Sequence, residues 1–215
     1  MTKNNYTTVI LAALLMLLMS GCACFPSNKL QQVTNLPPLP EGVKKPAVSY
    51  IFSSGTDLFG KSESTPLVRS MLESELVDVL RESGYFATWG TGSNGDVTIE
   101  ARLINSGNPA AMIPAFLTGF TLYAIPSWAT DIYTVTAKVK TGDGKEHSYQ
   151  LEDSSMLVQW LPMIFVPGSI MNVPGEVRKN IWKNLILKMK EDGFFQQSSR
   201  VSSIDKFSIR LVVTS

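Results

Sequence analysis

The 215-residue chain is poor in the residues that carry most enzyme chemistry. It has one histidine and two cysteines. No His or Cys pair has metal-ligand spacing, and a disulfide framework has nothing to stand on. Charge is also scarce. Asp, Glu, Lys and Arg make up 17% of the residues, against roughly 25% in ordinary soluble domains. The 19 basic and 18 acidic residues nearly cancel. No strong field gathers phosphates, so a nucleic-acid partner is disfavoured. Acidic residues are scattered, and nothing pairs two of them for acid–base work. No cofactor is implied, and no internal repeat is visible. What the chain does have is apolar content, 44% of residues, which is too much for a disordered chain.

The N-terminus reads in three parts. Met1 to Thr8 is polar with one cation, Lys3. Val9 to Met19 is an uninterrupted apolar run of 11 residues. That length suits a signal-peptide core and falls short of the ~20 residues a membrane-spanning helix needs. Ser20 and Gly21 are small, and Cys22 follows. Met19-Ser20-Gly21-Cys22 resembles the lipobox of bacterial lipoproteins. The resemblance implies cleavage before Cys22, a lipid on its thiol and an acylated amine. More than one acyl chain makes such an anchor stable. Ala23 after the cysteine implies sorting to the outer membrane. Residues 1–21 are then the signal peptide. Residues 22–47 form a lipidated N-terminus and a tether, because Pro26, Pro37, Pro38, Pro40 and Pro46 favour an extended chain. Residues 48–215 form a periplasmic domain.

Within that domain the pattern is α+β. Val48 to Phe52 reads as a strand. Pro66 opens a helix in which Leu67, Val68, Met71, Leu72, Leu76, Val79 and Leu80 keep helical spacing up to Gly84. Tyr85 to Trp89 reads as a second strand. Val97, Ile99, Ala101 and Leu103 alternate with polar residues as a third. Ile132–Val139 and His147–Leu151 form a hairpin around Gly142-Asp143-Gly144. A second helix runs from Val177 to Gly193, and Phe207 to Val213 alternates as a last strand. The expected architecture is one largely antiparallel sheet with two main helices packed on it.

Two segments break the pattern. Residues 103–130 are 28 positions without a charge, and residues 154–175 are 22 more. Loops of that length are uncommon in a compact domain without a function. Both leave the same end of the predicted hairpin, so they should lie side by side. Three readings compete: contact with a membrane or a partner, burial in the core, and a pore wall. Pro114 and Pro162 exclude single membrane-spanning helices. Met156 to Val166 is apolar on both phases, which disfavours a pore wall. The membrane or partner reading assigns contact to Met112, Phe116, Phe120, Leu122, Tyr123, Trp128, Met156, Trp160, Ile164 and Phe165.

Three other signals are weighed and set aside. Gly55-Thr56-Asp57-Leu58-Phe59-Gly60-Lys61-Ser62 fits G-x-x-x-x-G-K-[ST]. The expected helix starts about four residues too late for a P-loop. No apolar strand ends in a suitably placed aspartate, no repeated parallel units follow, and a signal peptide leads away from ATP. The segment reads as a flexible strand-to-helix loop, and a nucleotide hydrolase is the least favoured function. Gly90 to Gly95 fits G-x-G-x-x-G but precedes a strand, so it reads as a turn. His147 is alone and reads as a strand residue.

The lipobox and the placement of the apolar inserts are similar to a group of outer-membrane lipoproteins with one small α/β domain. The group includes the curli-secretion channel lipoprotein CsgG, the polysaccharide-export lipoprotein PelC and the surface-exclusion lipoprotein TraT. The resemblance covers roughly Val48 to Gly193 and assigns one functional residue, Cys22. It implies a non-enzymatic outer-membrane lipoprotein in envelope assembly, export or surface exclusion. Its partners are the membrane through the lipid anchor, and a homo-oligomer or envelope and secretion proteins. The alternative is a monomeric periplasmic module that binds a lipid or an envelope protein.

Overall fold

A computed structural model describes residues 22–165 and 172–195. The signal segment and the strand expected over Phe207–Val213 lie outside the described residues. The elements in order are β1 (Cys22–Pro26), β2 (Ala47–Asp57), β3 (Lys61–Glu63), α1 (Pro66–Ser83), β4 (Thr88–Thr91), β5 (Val97–Gly107), α2 (Met112–Phe120), β6 (Ser127–Thr141), β7 (Glu146–Gln159) and α3 (Val173–Glu191). Short 3-10 turns occupy Pro109–Ala111 and Leu161–Phe165. The strands form one seven-stranded sheet in the order β1-β7-β6-β5-β2-β3, with β4 also on β2. Among the described strands only β2–β5 and β2–β4 are parallel. The fold is α+β, a mostly antiparallel sheet with α1 and α3 packed against it.

Period-2 alternation builds the core. Val48, Tyr50 and Phe52 of β2, Val97, Ile99, Ala101 and Leu103 of β5, and Val135, Ala137 and Val139 of β6 are all buried. They meet Leu72, Leu76, Val79 and Leu80 of α1 and Val177, Ile181, Trp182, Leu185, Ile186 and Met189 of α3. Trp182 is fully enclosed and stands edge-on to Phe52, with ring centroids 6.2 Å apart. Away from the helices, the sheet carries exposed ion pairs such as Glu100–Lys140 at 2.8 Å and Arg102–Glu63 at 2.6 Å. Such pairs add little stability and keep that side in water. The ends of α1 are legible, whereas α3 starts at Val173, ahead of the Val177 read from the spacing. Thr65 Oγ1 caps Val68 N–H at 3.5 Å, Pro66 sits in the first turn of α1, and Gly84 closes it at φ 65°.

Several boundaries differ from the sequence pattern, each for a physical reason. Leu67, Val68 and Met71 are exposed, not core. Leu67 and Met71 fall off the stripe that runs through Leu72, Leu76 and Leu80, and Val68 belongs to the first turn. The second strand is Thr88–Thr91, not Tyr85–Trp89. Tyr85 and Phe86 are buried ahead of it, in edge-on contact with Phe195 at 5.0 and 5.4 Å. The hairpin strands are also longer than expected. Ser127–Thr130 and Ser154–Gln159, read as parts of the apolar inserts, are paired strand. β7 is paired on both edges here, with β6 and with β1, so the stretch is strand although its apolar run does not alternate.

The stretch read as a spacer is extended, but it lies on the domain. β1 pairs with β7 from Cys22↔Gln159 to Pro26↔Ser155. The chain then runs past α3. Asp153, fully buried, accepts from the backbone N–H of Lys29 at 3.1 Å and of Leu30 at 3.4 Å. Asn180, also buried, accepts from Val33 N–H at 2.9 Å and donates to the Gln31 carbonyl at 3.1 Å. Val33 is buried, and Leu30, Leu36, Leu39 and Val43 pack on the core. Apolar residues between the prolines give the segment its own burial, which proline density does not reveal. Asn180→Ala leaves Val33 N–H unpaired and should cost about 1–3 kcal/mol. Faster amide exchange confined to residues 28–36 is the expected readout.

The P-loop-like octapeptide is not a phosphate cradle. Asp57↔Lys61, Thr56↔Ser62 and Gly55↔Glu63 are antiparallel pairs, so the segment is a β-hairpin rather than a flexible loop into a helix. The Thr56 and Ser62 hydroxyls share a 2.8 Å hydrogen bond across it. A Cβ on Gly55 would come within 2.7 Å of the Ser62 carbonyl oxygen. Gly55→Ala should therefore destabilise the fold by about 1–3 kcal/mol in a denaturant melt.

Candidate functional site at the apolar end of the sheet

β5 leads through Asn108, whose Oδ1 accepts from Ala110 N–H at 3.0 Å, into a 3-10 turn and then α2. α2 inverts the usual amphipathic plan. Thr118 is its one buried residue, and its hydroxyl donates to the Pro114 carbonyl at 2.9 Å. Met112, Ile113, Phe116, Leu117 and Phe120 recur at i, i+1, i+4, i+5 and i+8 and form one broad face in solvent. Phe116 is 74% exposed and Phe120 79%. Leu122 and Tyr123 then take φ 53° and 62°, left-handed values that cost non-glycine residues roughly 1–2 kcal/mol each. The reversal is held by Tyr123 N–H donating to the Thr118 carbonyl at 2.8 Å. It leaves Leu122 exposed and Tyr123 half-buried.

The second insert joins the first directly. Leu161 N–H donates to the Tyr123 carbonyl at 2.9 Å, so the Leu161–Phe165 turn lies against the exit of α2. Trp128, at the start of β6, is 65% exposed, and Phe165 is 80% exposed. Met156 and Trp160 are exposed to a lesser degree. Ile164 belongs to the same 3-10 turn. Among the residues assigned to contact, none of those with a described side chain is in the core.

Cys22 stands at this end as well. It pairs with Gln159, which also pairs with Ser127, the first residue of β6. The Ser127 hydroxyl donates to Gln159 Oε1 at 3.1 Å. Cys22 is half-exposed at the edge of the sheet, two residues in register from Leu161. Cys24, two residues further along β1 and so on the same face of the sheet, is buried. Burial pushes the Cys24 thiol pKa up, more than its hydrogen bond with Ser155 lowers it.

Sequence reasoning missed a third apolar element. The tip of the β2–β3 hairpin carries Leu58 and Phe59, the latter 75% exposed. Asp57 pairs with Ser106, and a Cβ on Gly107 would lie 3.3 Å from Leu58 Cδ1. The tip therefore leaves the sheet where β5 turns into α2. The signal was available as two adjacent apolar residues at a strand end, masked by the P-loop pattern.

No protein-family model matches the chain, and no curated protein matches it. Among solved structures, a Xanthomonas campestris protein of the DUF330 family model is similar at 10% identity and a TM-score of 0.37, over 74% of this chain and 89% of that one. A PelC dodecamer from Paraburkholderia phytofirmans is similar at 10% identity and a TM-score of 0.29, over 77% of this chain and 94% of that one. Likeness at this level carries no functional argument, so function rests on the geometry of the chain itself.

The remaining chemistry lies elsewhere or is structural. His147 sits at the opposite end of the sheet, with Nδ1 3.5 Å from Asp192, which also accepts from the Tyr149 hydroxyl at 2.5 Å. Among the described residues no group of three His, Cys, Asp or Glu is placed to hold a metal, and no helix is long and apolar enough to cross a membrane. Beneath the apolar end, Arg178 makes a bidentate pair with Glu75 at 2.6 and 2.8 Å, and its guanidinium lies 5.2 Å from the Tyr133 ring centroid.

Proposed function

We propose that this chain is a non-enzymatic lipoprotein of the bacterial envelope, anchored through Cys22, whose apolar sheet end lies in the headgroup region of the membrane. One observation carries the reading. The residue that the lipobox would acylate is the first residue of β1, beside the exposed α2 and Leu161–Phe165 surfaces. Acyl chains on Cys22 would leave the protein where its uncharged aromatic and aliphatic side chains are exposed. Because β1 is paired from its first residue, the domain has no slack tether and sits against the bilayer. Each phenylalanine taken out of water there contributes about 1.5–3 kcal/mol, and Trp128, Tyr123 and Trp160 suit the headgroup level.

In this reading residues 1–21 are removed and residues 22–215 face the periplasm from the outer membrane. The work is assembly, export or exclusion at the envelope, with no substrate turned over. The anchor is tested in cells grown with labelled palmitate. The wild-type chain takes up the label and loses its first 21 residues, whereas Cys22→Ser does neither. Equal labelling of the two chains would overturn the assignment of Cys22.

A further inference from the structure

The cleft beside the β2–β3 hairpin has a polar chemistry that the rest of the apolar end lacks. It measures about 460 Å³, within the range of small-molecule sites, and its lining includes Thr56, Leu58, Phe59, Lys61, Asn105 and Asp131. The charges do not balance inside it. Arg178 is the cation that acts on Asp131, but its guanidinium is committed to both oxygens of Glu75. Arg178 and Glu75 cancel, and Asp131 is left as a half-buried carboxylate. Among the described residues its carboxyl accepts no hydrogen bond. Its pKa is raised by burial, against the weaker pull of Arg178. Asn105 Oδ1 is buried and likewise unpartnered among the described residues. Lys61 lines the same cleft from the hairpin, and no ion pair joins it to Asp131 among the described residues. A carboxylate within and an ammonium on the hairpin, held apart, match a ligand that carries both signs. Leu58 and Phe59 add apolar surface beside them.

We propose that this cleft binds a headgroup of the ethanolamine type, its primary ammonium on Asp131 and its phosphate on Lys61. The three N–H donors of a primary ammonium can reach Asp131 and neighbouring oxygens, whereas a quaternary choline has none to give. The inference deepens the membrane reading and rests on it for the source of the ligand. A phospholipid would present this headgroup where Leu58 and Phe59 meet its chains. Soluble glycerophosphoethanolamine shares the headgroup chemistry without the chains.

The test is native mass spectrometry of the full, detergent-extracted chain with phosphatidylethanolamine and phosphatidylcholine of matched acyl chains. The ethanolamine lipid is expected to bind about tenfold more tightly, the value of one charge-assisted hydrogen bond. Asp131→Asn should abolish that preference. Lys61→Gln, on the exposed hairpin, should weaken both lipids alike and keeps the proposal testable if the Asp131 variant does not fold. Competition by glycerophosphoethanolamine would mean that the headgroup suffices. Failure to compete, with the lipid preference intact, would mean that the chains are needed and the source is a membrane. Equal binding of the two lipids, or a preference that survives Asp131→Asn, would overturn the proposal. Either result leaves the membrane reading standing, because that reading is tested on phosphatidylcholine vesicles.

Discussion

Phe116→Asp combined with Phe120→Asp lowers vesicle binding by about a hundredfold or more, in a chain that starts at residue 22 and carries Cys22→Ser. The estimate follows from burial of two phenylalanines at about 1.5–3 kcal/mol each, converted at 1.4 kcal/mol per tenfold. Both side chains stand in solvent on the outer face of α2 and contribute little to the core. The double variant should therefore unfold at the wild-type denaturant midpoint. Cosedimentation with phosphatidylcholine vesicles measures the binding, and loss of binding without loss of stability is the expected pair of results. Unchanged cosedimentation would remove α2 from the membrane contact.

Glu75→Ala should cost about 3–5 kcal/mol, enough to lower the melting temperature by about 10 °C. Glu75 and Arg178 are only 14% and 12% exposed as side chains and hold each other in a two-pronged pair. Removing the acid leaves a guanidinium trapped between α3 and the Tyr133 ring. Asp131 also senses that charge and offsets part of the loss. Replacing Glu75 and Arg178 together by methionine should recover most of the stability, since no buried charge is then left alone. A thermal melt of the wild-type chain and the two variants checks this. A single-variant loss below about 1 kcal/mol would mean that the pair is solvated.

Much of the sheet and both long helices were legible because their patterns are local. Val97, Ile99, Ala101 and Leu103 alternate over one buried face, and Pro66 and Gly84 bracket α1. The hairpin around Gly142-Asp143-Gly144 follows from its turn residues. What was hidden depends on partners distant in sequence. β1 has no pattern of its own in five residues and exists because the far end of β7 offers an edge. The segment carrying Val33 looked like a spacer until Asn180, 147 residues later, supplied its hydrogen bond. The octapeptide ending in Lys61-Ser62 fits a nucleotide motif, yet backbone pairing across Gly55 makes it a hairpin. At the candidate site, the greasy inserts and their adjacency could be read from missing charges and hairpin order. Leu58 and Phe59 stand there as adjacent apolar residues masked by the nucleotide motif, and Asp131 is hidden because only the register of β2, β5 and β6 brings it to the same end.

The most direct measurement is quenching of tryptophan by brominated phospholipid. In a chain beginning at residue 22 with Cys22→Ser, Trp89→Phe and Trp160→Phe, two fluorophores remain. Trp182 is enclosed in the core and beyond lipid, while Trp128 stands exposed at the start of β6. Bound to brominated vesicles, this chain should lose the Trp128 share of its emission and keep the Trp182 share. A chain that retains Trp89 in place of Trp128 should lose none, since β4 pairs with the opposite end of β2. Trp128 emission that stays at full strength on vesicles that have captured the protein would contradict the account, because some other surface would then be meeting the bilayer.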